Sequence, residues 1–252
     1  MTSEKKVALV TGGGTGIGQA AALELQKTGH NVVIIGRRPG PLQETIDMGL
    51  KDGPDMLAIP ADIGDPEQIR AFFAKTRETF GRLDILFNNA GVGAPRIPME
   101  DLKLEDWKRA VDVNLTGSFV CAQEAIKIMK DQTPMGGRII NNGSVSAHSP
   151  RPDTVAYTST KHAMTGMTKS IALDGRRYDI SCSQIDIGNA DTPLGGRMKH
   201  GVPQANGEVM AEAVMDAKHC GEVVAYIAGL PKEANVLFIT IMATKMPFVG
   251  RG

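Results

Sequence analysis

Short aliphatic runs alternate along this chain of 252 residues with stretches that have the spacing of helices. Such alternation is typical of βαβ units, in which helices connect parallel strands and cover both faces of a sheet. Ligands of such sheets bind at the carboxyl ends of the strands, where the strand order reverses. The sequence therefore predicts an α/β fold with one doubly wound parallel sheet of about seven strands. The expected strands are VALVTG, NVVIIG, MLAIPAD, LDILFNN, GRIINNGS, ISCSQIDIG and VLFIT, of which MLAIPAD is the weakest.

No linker divides the chain. The sequence contains no Pro/Gly/Ser-rich stretch, charge run or internal repeat that would separate two units. A single domain over residues 1–252 is therefore expected. The segment from about residue 193 to 215 interrupts the alternation with glycines and polar residues, and it is predicted to be a mobile flap over the substrate.

The composition limits the classes of partner. Hydrophobic residues make up 42% of the chain but aromatic residues only 4%, as expected of a core built from aliphatic parallel strands. Lysine plus arginine equals aspartate plus glutamate, at 28 each, which gives no electrostatic argument for nucleic acid or an anionic membrane. No apolar run approaches the ~18–20 residues of a membrane span. We expect neither a nucleic acid nor a membrane as a partner.

The cysteines and histidines predict no metal site. Cys121, Cys182 and Cys220 are odd in number and lack CxxC spacing, and the five histidines show no spacing of metal ligands. We interpret the cysteines as reduced thiols of a cytoplasmic protein.

A glycine-rich turn follows the first expected strand. The pattern TGxxxGxG, which runs from Thr11 to Gly18, is followed by the helical stretch AALELQ. Glycine lets the backbone approach a pyrophosphate closely, and a helix N-terminus offers open amides and the positive end of a dipole. The turn therefore predicts a dinucleotide site, although a glycine-rich turn without a ligand remains open. Gln19 stands where the commoner GxGxxG pattern requires its last glycine.

The pentapeptide YTSTK places Tyr157 four residues before Lys161. On a helix this spacing brings the phenol and the ammonium onto one face, one turn apart. A cation beside a phenol favours the phenolate, so that the tyrosine exchanges a proton more easily near neutral pH. Ser144 stands upstream, at the end of the run RIINNGS. With the glycine turn, these residues predict transfer of a hydride and a proton, whereas the pentapeptide alone also occurs by chance on helical surfaces.

Four motifs resemble those of the short-chain dehydrogenase/reductase (SDR) family. They are TGGGTGIG, NNAG, the asparagine of VNLTG, and the set of Ser144, Tyr157 and Lys161. Their order and spacing match the main branch of the family, whose members have about the length of this chain. The match extends from Lys6 to about Thr240. The resemblance implies a Rossmann-type fold and an oxidoreductase that uses a nicotinamide cofactor.

The resemblance also implies catalytic roles for four residues. Tyr157 would be the general acid/base. Lys161 would ease the deprotonation of Tyr157 and bind the nicotinamide ribose. Ser144 would form a hydrogen bond with the substrate oxygen, and Asn114 would hold a water that links Lys161 to solvent.

The residues that the resemblance assigns to the cofactor lie in the same motifs and in the loops after the strands. Asp62 resembles the aspartate that holds the adenine amino group, and Thr192 resembles the threonine that binds the nicotinamide carboxamide. Ile187 and Gly188 replace the usual Pro-Gly of the family, which removes rigidity from that turn but keeps its backbone contact. The full set is Gly12, Thr15, Gly16, Ile17, Gly18, Arg37, Arg38, Asp62, Ile63, Asn89, Ala90, Gly91, Tyr157, Lys161, Gly188 and Thr192.

The end of the second expected strand bears on the choice between NADP and NAD. An acidic residue about twenty positions beyond the glycine loop would bind the ribose 2′-hydroxyl and repel a 2′-phosphate. Gly36, Arg37 and Arg38 occupy these positions, without a carboxylate. Because a guanidinium fork suits a phosphate, the sequence predicts NADP(H) rather than NAD(H), with Arg37 as the better-placed contact. The alternative is a solvated surface pair that only starts a loop.

The predicted function is NADP(H)-dependent hydride transfer between nicotinamide and a carbonyl or secondary alcohol, with a 3-oxoacyl thioester or a small ketone as the substrate class. A non-catalytic NADP(H)-binding redox sensor is the alternative. Arg96, His148 and Arg151 lie on loops expected to line the substrate pocket. They favour an anionic substrate unless they are ordinary surface charges.

A homo-oligomer, either a dimer or a tetramer, is also implied by the resemblance. The C-terminal sequence ANVLFITIMATKMPFVGRG lacks the Asp-Gly-Gly ending that is common in the family, whose tail often takes part in subunit contacts. The expected helix around Tyr157 carries Met164, Met167 and Ile171 on one face, which packs either against a partner or into the core.

Overall fold

Seven strands form one fully parallel sheet in the computed structural model, which describes residues 5–249. They are β1 (Val7–Thr11), β2 (Asn31–Gly36), β3 (Met56–Pro60), β4 (Ile85–Asn88), β5 (Gly137–Asn142), β6 (Ile180–Ile187) and β7 (Phe238–Ile241). Their order across the sheet is β3-β2-β1-β4-β5-β6-β7, and all neighbours pair in parallel. Each expected strand is present, and the predicted doubly wound, Rossmann-type α/β fold is confirmed.

Seven α-helices flank this sheet within the described residues. They are α1 (Gly16–Lys27), α2 (Pro39–Asp47), α3 (Pro66–Phe80), α4 (Leu104–Val111), α5 (Ser118–Asp131), α6 (Val155–Asp174) and α7 (Ala217–Gly229). A π-helical segment, Asp112–Gly117, joins α4 to α5. Over residues 5–249, no helix has both the length and the apolar character needed to cross a membrane.

The two faces of the sheet bury different aliphatic side chains. In β1, Val7 and Leu9 face one side and Ala8 and Val10 face the other, and all four are buried. The first side packs against α3, α5 and α6, and the second packs against α1, α2 and α7. A strand covered by helices on both sides has no polar face, which explains the unbroken aliphatic runs of the sequence.

The three cysteines belong to this core. Cys121, Cys182 and Cys220 are buried and form no disulfide bond. Burial raises the pKa of the Cys182 and Cys220 thiols to about 12. Such thiols are inert near neutral pH, so their role is packing. In the part of the chain that the structure describes, no cluster of His, Cys, Asp or Glu is arranged to hold a metal ion.

The strand order reverses between β1 and β4, because the chain first extends the sheet from β1 to β3 and then crosses back to β4. The carboxyl ends of the strands at this point border a cavity of about 380 Å³. Doubly wound sheets bind their ligands at such a reversal point. The cavity is therefore the candidate functional site.

The expected flap, residues 193–215, has secondary structure of its own. It contains a 3₁₀ turn, Gly196–His200, and a small antiparallel hairpin of Val202–Pro203 and Val209–Met210. Its first part, up to Met198, borders the cavity. The position therefore suits a flap, while its mobility stays a prediction.

The C-terminal tail packs behind the loop that follows β6. Ala243 and Met246 form a small buried cluster with Val145. The Met246 sulfur also accepts a hydrogen bond of 3.2 Å from the backbone amide of Asn189. The single domain proposed for residues 1–252 stays a prediction, since its ends, residues 1–4 and 250–252, lie outside the described residues.

Candidate active site

Glycines shape the turn between β1 and α1. Gly12 and Gly16 have positive φ angles of 69° and 57°, a conformation that residues with side chains rarely adopt. A Cβ at Gly18 would lie 2.1 Å from the Gly12 carbonyl oxygen, so only glycine allows α1 to approach the turn this closely. Thr15, the N-cap of α1, makes no side-chain capping hydrogen bond. The first amides of α1 are therefore available to an anion, as a bound pyrophosphate would require.

Most residues predicted to bind a cofactor or substrate line the cavity. Gly18 does not, because it lies beneath the turn, and Asn114 belongs to the π-helical segment instead. The predicted catalytic and cofactor-binding residues that line the cavity are Gly12, Thr15, Gly16, Ile17, Arg37, Arg38, Asp62, Ile63, Asn89, Ala90, Gly91, Ser144, Tyr157, Lys161, Gly188 and Thr192.

Two arginines border the cavity between the end of β2 and the start of α2. The side chains of Arg37 and Arg38 are exposed, and neither forms an ion pair within residues 5–249. Asp62, after β3, also lines the cavity, and its Oδ1 accepts a hydrogen bond of 2.9 Å from the Gly64 amide. This end of the cavity thus offers two unpaired guanidinium groups, which fit a phosphate.

Asn89 joins the ends of three strands at the cavity wall. Its Nδ2 donates a hydrogen bond of 2.9 Å to the carbonyl of Thr11, at the end of β1. Its Oδ1 accepts a hydrogen bond of 2.8 Å from Nδ2 of Asn142, at the end of β5. Thr11 Oγ1 in turn accepts hydrogen bonds from the amides of Asn89 and Ala90, both at 3.0 Å. The side chain of Asn89 therefore holds the cavity wall together.

Two turns after β6 complete the wall beside the glycine turn. A Cβ at Gly188 would lie 2.5 Å from the Met246 sulfur, so the tail packs tightly behind this residue. A Cβ at Gly16 would lie 3.0 Å from Cβ of Thr192. The Thr192 hydroxyl oxygen accepts a hydrogen bond of 2.8 Å from the Gly195 amide. Packing by the tail thus supports the turn in which Ile187-Gly188 replaces Pro-Gly.

Tyr157 and Lys161 lie one turn apart on α6, as their spacing predicts. The Lys161 Nζ lies 5.6 Å from the centroid of the Tyr157 ring. It also donates a hydrogen bond of 2.6 Å to the backbone carbonyl of Asn142. This bond fixes the buried ammonium beside the phenol. Sequence reasoning missed Asn142 in this role, because a backbone carbonyl leaves no residue-specific signal.

Ser144 follows β5 in an extended conformation. Its Oγ accepts a hydrogen bond of 3.1 Å from the amide of Ser146. The hydroxyl proton therefore remains to be donated to a substrate oxygen. The amide of Ser144 donates a hydrogen bond of 3.1 Å to Oδ1 of Asp186.

Asp186 is a buried carboxylate that sequence reasoning did not include. It lies in β6 and is 1% exposed. Its Oδ1 accepts a second hydrogen bond, of 2.7 Å, from Gln184 Nε2, and its Oδ2 lies 2.7 Å from His148 Nε2. A carboxylate inside the aliphatic run ISCSQIDIG was the available signal, since a buried charge requires partners. Asp186 therefore positions Ser144.

We expect Asp186→Ala to lower kcat about tenfold, because the buried amide of Ser144 loses its acceptor and the serine shifts. Asp186→Asn should restore most of the rate, since a carbonyl oxygen can still accept that bond. Initial rates with NADPH and a ketone measure both variants. Asp131→Ala, an exposed carboxylate on α5, is the control. Equal losses in Asp186→Asn and Asp186→Ala would refute the positioning role.

The π-helical segment places Asn114 against the loop after β4. Its Oδ1 accepts a hydrogen bond of 2.7 Å from the Val92 amide, and its Nδ2 donates one of 3.0 Å to the Val92 carbonyl. Nδ2 also lies 3.3 Å from Thr160 Oγ1, on α6. Such π-helical insertions often occur at functional sites. Asn114 thus connects this loop to α6, and the proposed water relay to Lys161 stays a prediction.

The basic residues expected at the pocket mouth have different surroundings. His148 does not line the cavity and contacts Asp186 instead. Arg151 lines the cavity, but its Nη2 forms an ion pair of 2.6 Å with Glu212 of the flap. Arg96 lines the cavity without a carboxylate partner among the described residues. The three groups therefore do not face a substrate together, because folding brought two of them to buried carboxylates.

Comparisons with known proteins place the chain in a family. A family model described as short chain dehydrogenase matches residues 6–202. A 3beta-hydroxysteroid dehydrogenase of Mediterraneibacter gnavus is 33% identical over 209 residues, which cover 83% of this chain and 75% of the relative.

Solved structures agree with this match. Actinorhodin polyketide ketoreductase with NADPH has a TM-score of 0.85 and 26% identity, with 96% of this chain and 97% of that chain covered. The 3-ketoacyl-(acyl-carrier-protein) reductase of Brucella melitensis, complexed with NADH, has a TM-score of 0.83 and 26% identity, with 95% and 97% covered.

Proposed function

This chain belongs to the short-chain dehydrogenase family, and we propose that it transfers a hydride between NADP(H) and a carbonyl or secondary alcohol. One observation carries the proposal. Tyr157, Lys161 and Ser144 line the same cavity as the glycine-rich turn and the open N-terminus of α1. A dinucleotide bound at that turn would share the cavity with a proton donor and a hydrogen-bond donor.

The nicotinamide ring, when bound, supplies or accepts the hydride. In the direction of reduction, Tyr157 donates its phenolic proton to the carbonyl oxygen of the substrate, and Ser144 donates a hydrogen bond to the same oxygen. Lys161, held by the Asn142 carbonyl, stabilises the phenolate that remains. In the direction of oxidation, the phenolate removes the alcohol proton. Asn114 holds the loop after β4 in place for both directions.

NADP(H) is the proposed cofactor because two guanidinium groups border the cavity after β2. Arg37 and Arg38 have no ion-pair partner within residues 5–249, and no carboxylate occupies the position that would bind a ribose 2′-hydroxyl. A dianionic 2′-phosphate would pair with these groups. NAD(H) is the less favoured cofactor, because it has no 2′-phosphate to pair with these groups.

We expect Arg37→Ser to raise the Kd for NADPH about tenfold or more and to leave the Kd for NADH unchanged, because a charge-assisted bond to the phosphate is lost. Fluorescence titration of the purified protein with each cofactor measures both constants. Arg38→Ser tests the neighbouring guanidinium, and Arg109→Ser, on the exposed face of α4, is the control. An unchanged NADPH constant in both Arg37→Ser and Arg38→Ser would refute the phosphate contact.

The first test of the proposed function combines cofactor binding with turnover. We expect the protein to bind NADPH and to consume it with at least one ketone, aldehyde or 3-oxoacyl thioester. A redox sensor, the second candidate, would bind NADPH without consuming it. Binding of neither NADPH nor NADH would refute both.

Three further expectations accompany this function. We propose a homo-oligomer, a cytoplasmic location, and a flap over residues 193–215 that opens for the substrate. Size-exclusion chromatography with light scattering tests the first. Protease sensitivity of the flap with and without NADPH tests the third, since a flap that closes should become protected.

A further inference from the structure

Three guanidinium groups gather at the substrate side of the cavity, where the flap meets the loops after β4 and β5. Arg151 Nη1 lies 3.5 Å from the sulfur of Met198, and Arg96 Nη2 lies 3.9 Å from the same sulfur. Arg197 precedes this methionine, and its Nη2 would lie 3.9 Å from a Cβ at Gly93. All three arginines line the cavity that contains Tyr157 and Ser144.

One of these cations forms an ion pair with a carboxylate. Glu212 pairs with Arg151, and their side chains are 1% and 8% exposed. Asn189 Nδ2 and Gln204 Nε2 also donate hydrogen bonds to Glu212, at 2.7 and 2.9 Å. Arg151 and Glu212 therefore form a buried ion pair that attaches the flap to the loop after β5.

Arg96 and Arg197 are the other two cations of this group. Within residues 5–249, neither forms an ion pair. Arg96 is half-buried, and its only described side-chain contact of hydrogen-bond type is the Met198 sulfur, a weak acceptor. Arg197 is exposed and lies near the half-buried Arg96, so that an anionic ligand in the cavity would pair with both.

The electrostatic surroundings of Arg96 agree with an anion-binding role. Burial lowers the pKa of Arg96, and the charges of Arg197 and Arg151 lower it further. Glu212 and Tyr157 raise the pKa of Arg96. Arg96 therefore lies within electrostatic range of the catalytic phenol. An anion bound between Arg96 and Arg197 would relieve the repulsion between them and offset the loss of hydration at Arg96.

We propose that the substrate carries an oxyanion, a carboxylate or a phosphate, that Arg96 and Arg197 bind while its carbonyl group lies at Tyr157 and Ser144. This inference rests on the proposed carbonyl reduction and narrows its substrate class. Arg96 comes from the loop after β4 and Arg197 from the flap, so an anionic substrate would bridge these two elements. Neutral ketones of the same shape would lack that bridge.

Matched pairs of carbonyl compounds test the proposal. The pairs are 4-acetylbenzoate with its methyl ester, 4-oxopentanoate with its methyl ester, and dihydroxyacetone phosphate with dihydroxyacetone. With the wild-type protein and NADPH, we expect at least one anion to have a kcat/KM about tenfold or more above that of its neutral partner. The carboxylate and phosphate pairs distinguish the two sources of the oxyanion. Neutral compounds that react as well as every anion would overturn the proposal and leave the proposed reductase function intact.

Substitutions distinguish direct binding by Arg96 and Arg197 from the general effect of removing one positive charge from the protein. Arg96→Met and Arg197→Met should each raise KM for the anion about tenfold, with less than a twofold change for the neutral partner. Arg109→Met is the control for loss of one positive charge. An equal rise in the KM for NADPH with anionic and neutral substrates would instead assign the arginines to the cofactor and overturn the proposal.

A binding experiment covers the case in which no carbonyl compound is reduced, which would refute the proposed reductase function. Calorimetric titration of the NADPH-loaded protein with 4-acetylbenzoate and with its methyl ester measures binding directly. Binding of the acid alone, lost in Arg96→Met, would still support the oxyanion site. If 4-acetylbenzoate, 4-oxopentanoate and dihydroxyacetone phosphate all fail to bind, the oxyanion site is overturned as well.

Discussion

Tyr157→Phe is expected to lower kcat by about 10²–10⁴-fold and to leave the Kd for NADPH within about twofold of wild type. The substitution removes only the phenolic oxygen, which is the proton donor in the proposed mechanism. The glycine turn, the α1 N-terminus and the Lys161–Asn142 hydrogen bond do not depend on that oxygen. Steady-state NADPH consumption and fluorescence titration measure the two quantities.

Tyr226→Phe is the matched control, because Tyr226 lies on α7 with 58% of its surface exposed and does not line the cavity. Its kcat should equal that of the wild type. If Tyr157→Phe reduced a ketone at the wild-type rate, Tyr157 would not be the acid, and another group in the cavity would have to donate the proton. A wild-type protein without turnover but with tight NADPH binding would favour the redox sensor.

The second large effect is expected at Gly18. Gly18→Ala should raise the Kd for NADPH about a hundredfold or more and lower the free energy of unfolding by about 1–3 kcal/mol, because the new methyl group overpacks the turn. The added Cβ would lie 2.1 Å from the Gly12 carbonyl oxygen and 2.5 Å from Asn89 Nδ2. Relief of these contacts requires α1 to move away from the turn, and its N-terminal amides move with it.

Gly166→Ala provides a matched control on another helix. Gly166 lies in α6, is exposed, and has open space where a Cβ would be added. The same substitution there should stabilise the protein by about 0.5–1 kcal/mol, because alanine has the higher helix propensity. Denaturant unfolding measures both variants, and cofactor titration of the folded fraction separates binding from stability. Full NADPH affinity in Gly18→Ala would show that the close approach is not required for binding.

The parts of the site that the sequence predicted are local. Gly12 and Gly16 lie in a turn whose conformation depends on a few adjacent residues, and Tyr157 and Lys161 are separated by one helical turn. A period of 3.6 residues then determines that their side chains share a face. The seven strands were equally predictable, because burial on both faces leaves an aliphatic run in the sequence.

The missed parts depend on residues that are far apart in the chain. Asp186, in β6, contacts Ser144 and His148, which follow the neighbouring strand β5. Glu212 contacts Arg151, which is 61 positions away in the chain. No pattern in the sequence specifies such pairings, since any of several carboxylates has the right chemistry. The expectation of three basic groups at the pocket mouth was therefore wrong for His148, and it omitted Arg197.

By itself, the sequence determined the class of fold, the glycine-rich dinucleotide turn and the presence of a tyrosine–lysine pair, because each follows from short-range geometry and from the pattern of burial. Only the tertiary structure decided which charges remain uncompensated in the cavity. Folding places Arg151 against Glu212 and His148 against Asp186, and it leaves Arg96 and Arg197 without an ion pair among residues 5–249. Net charge is a sum over the chain, whereas the charge that a substrate meets depends on which side chains the fold brings together.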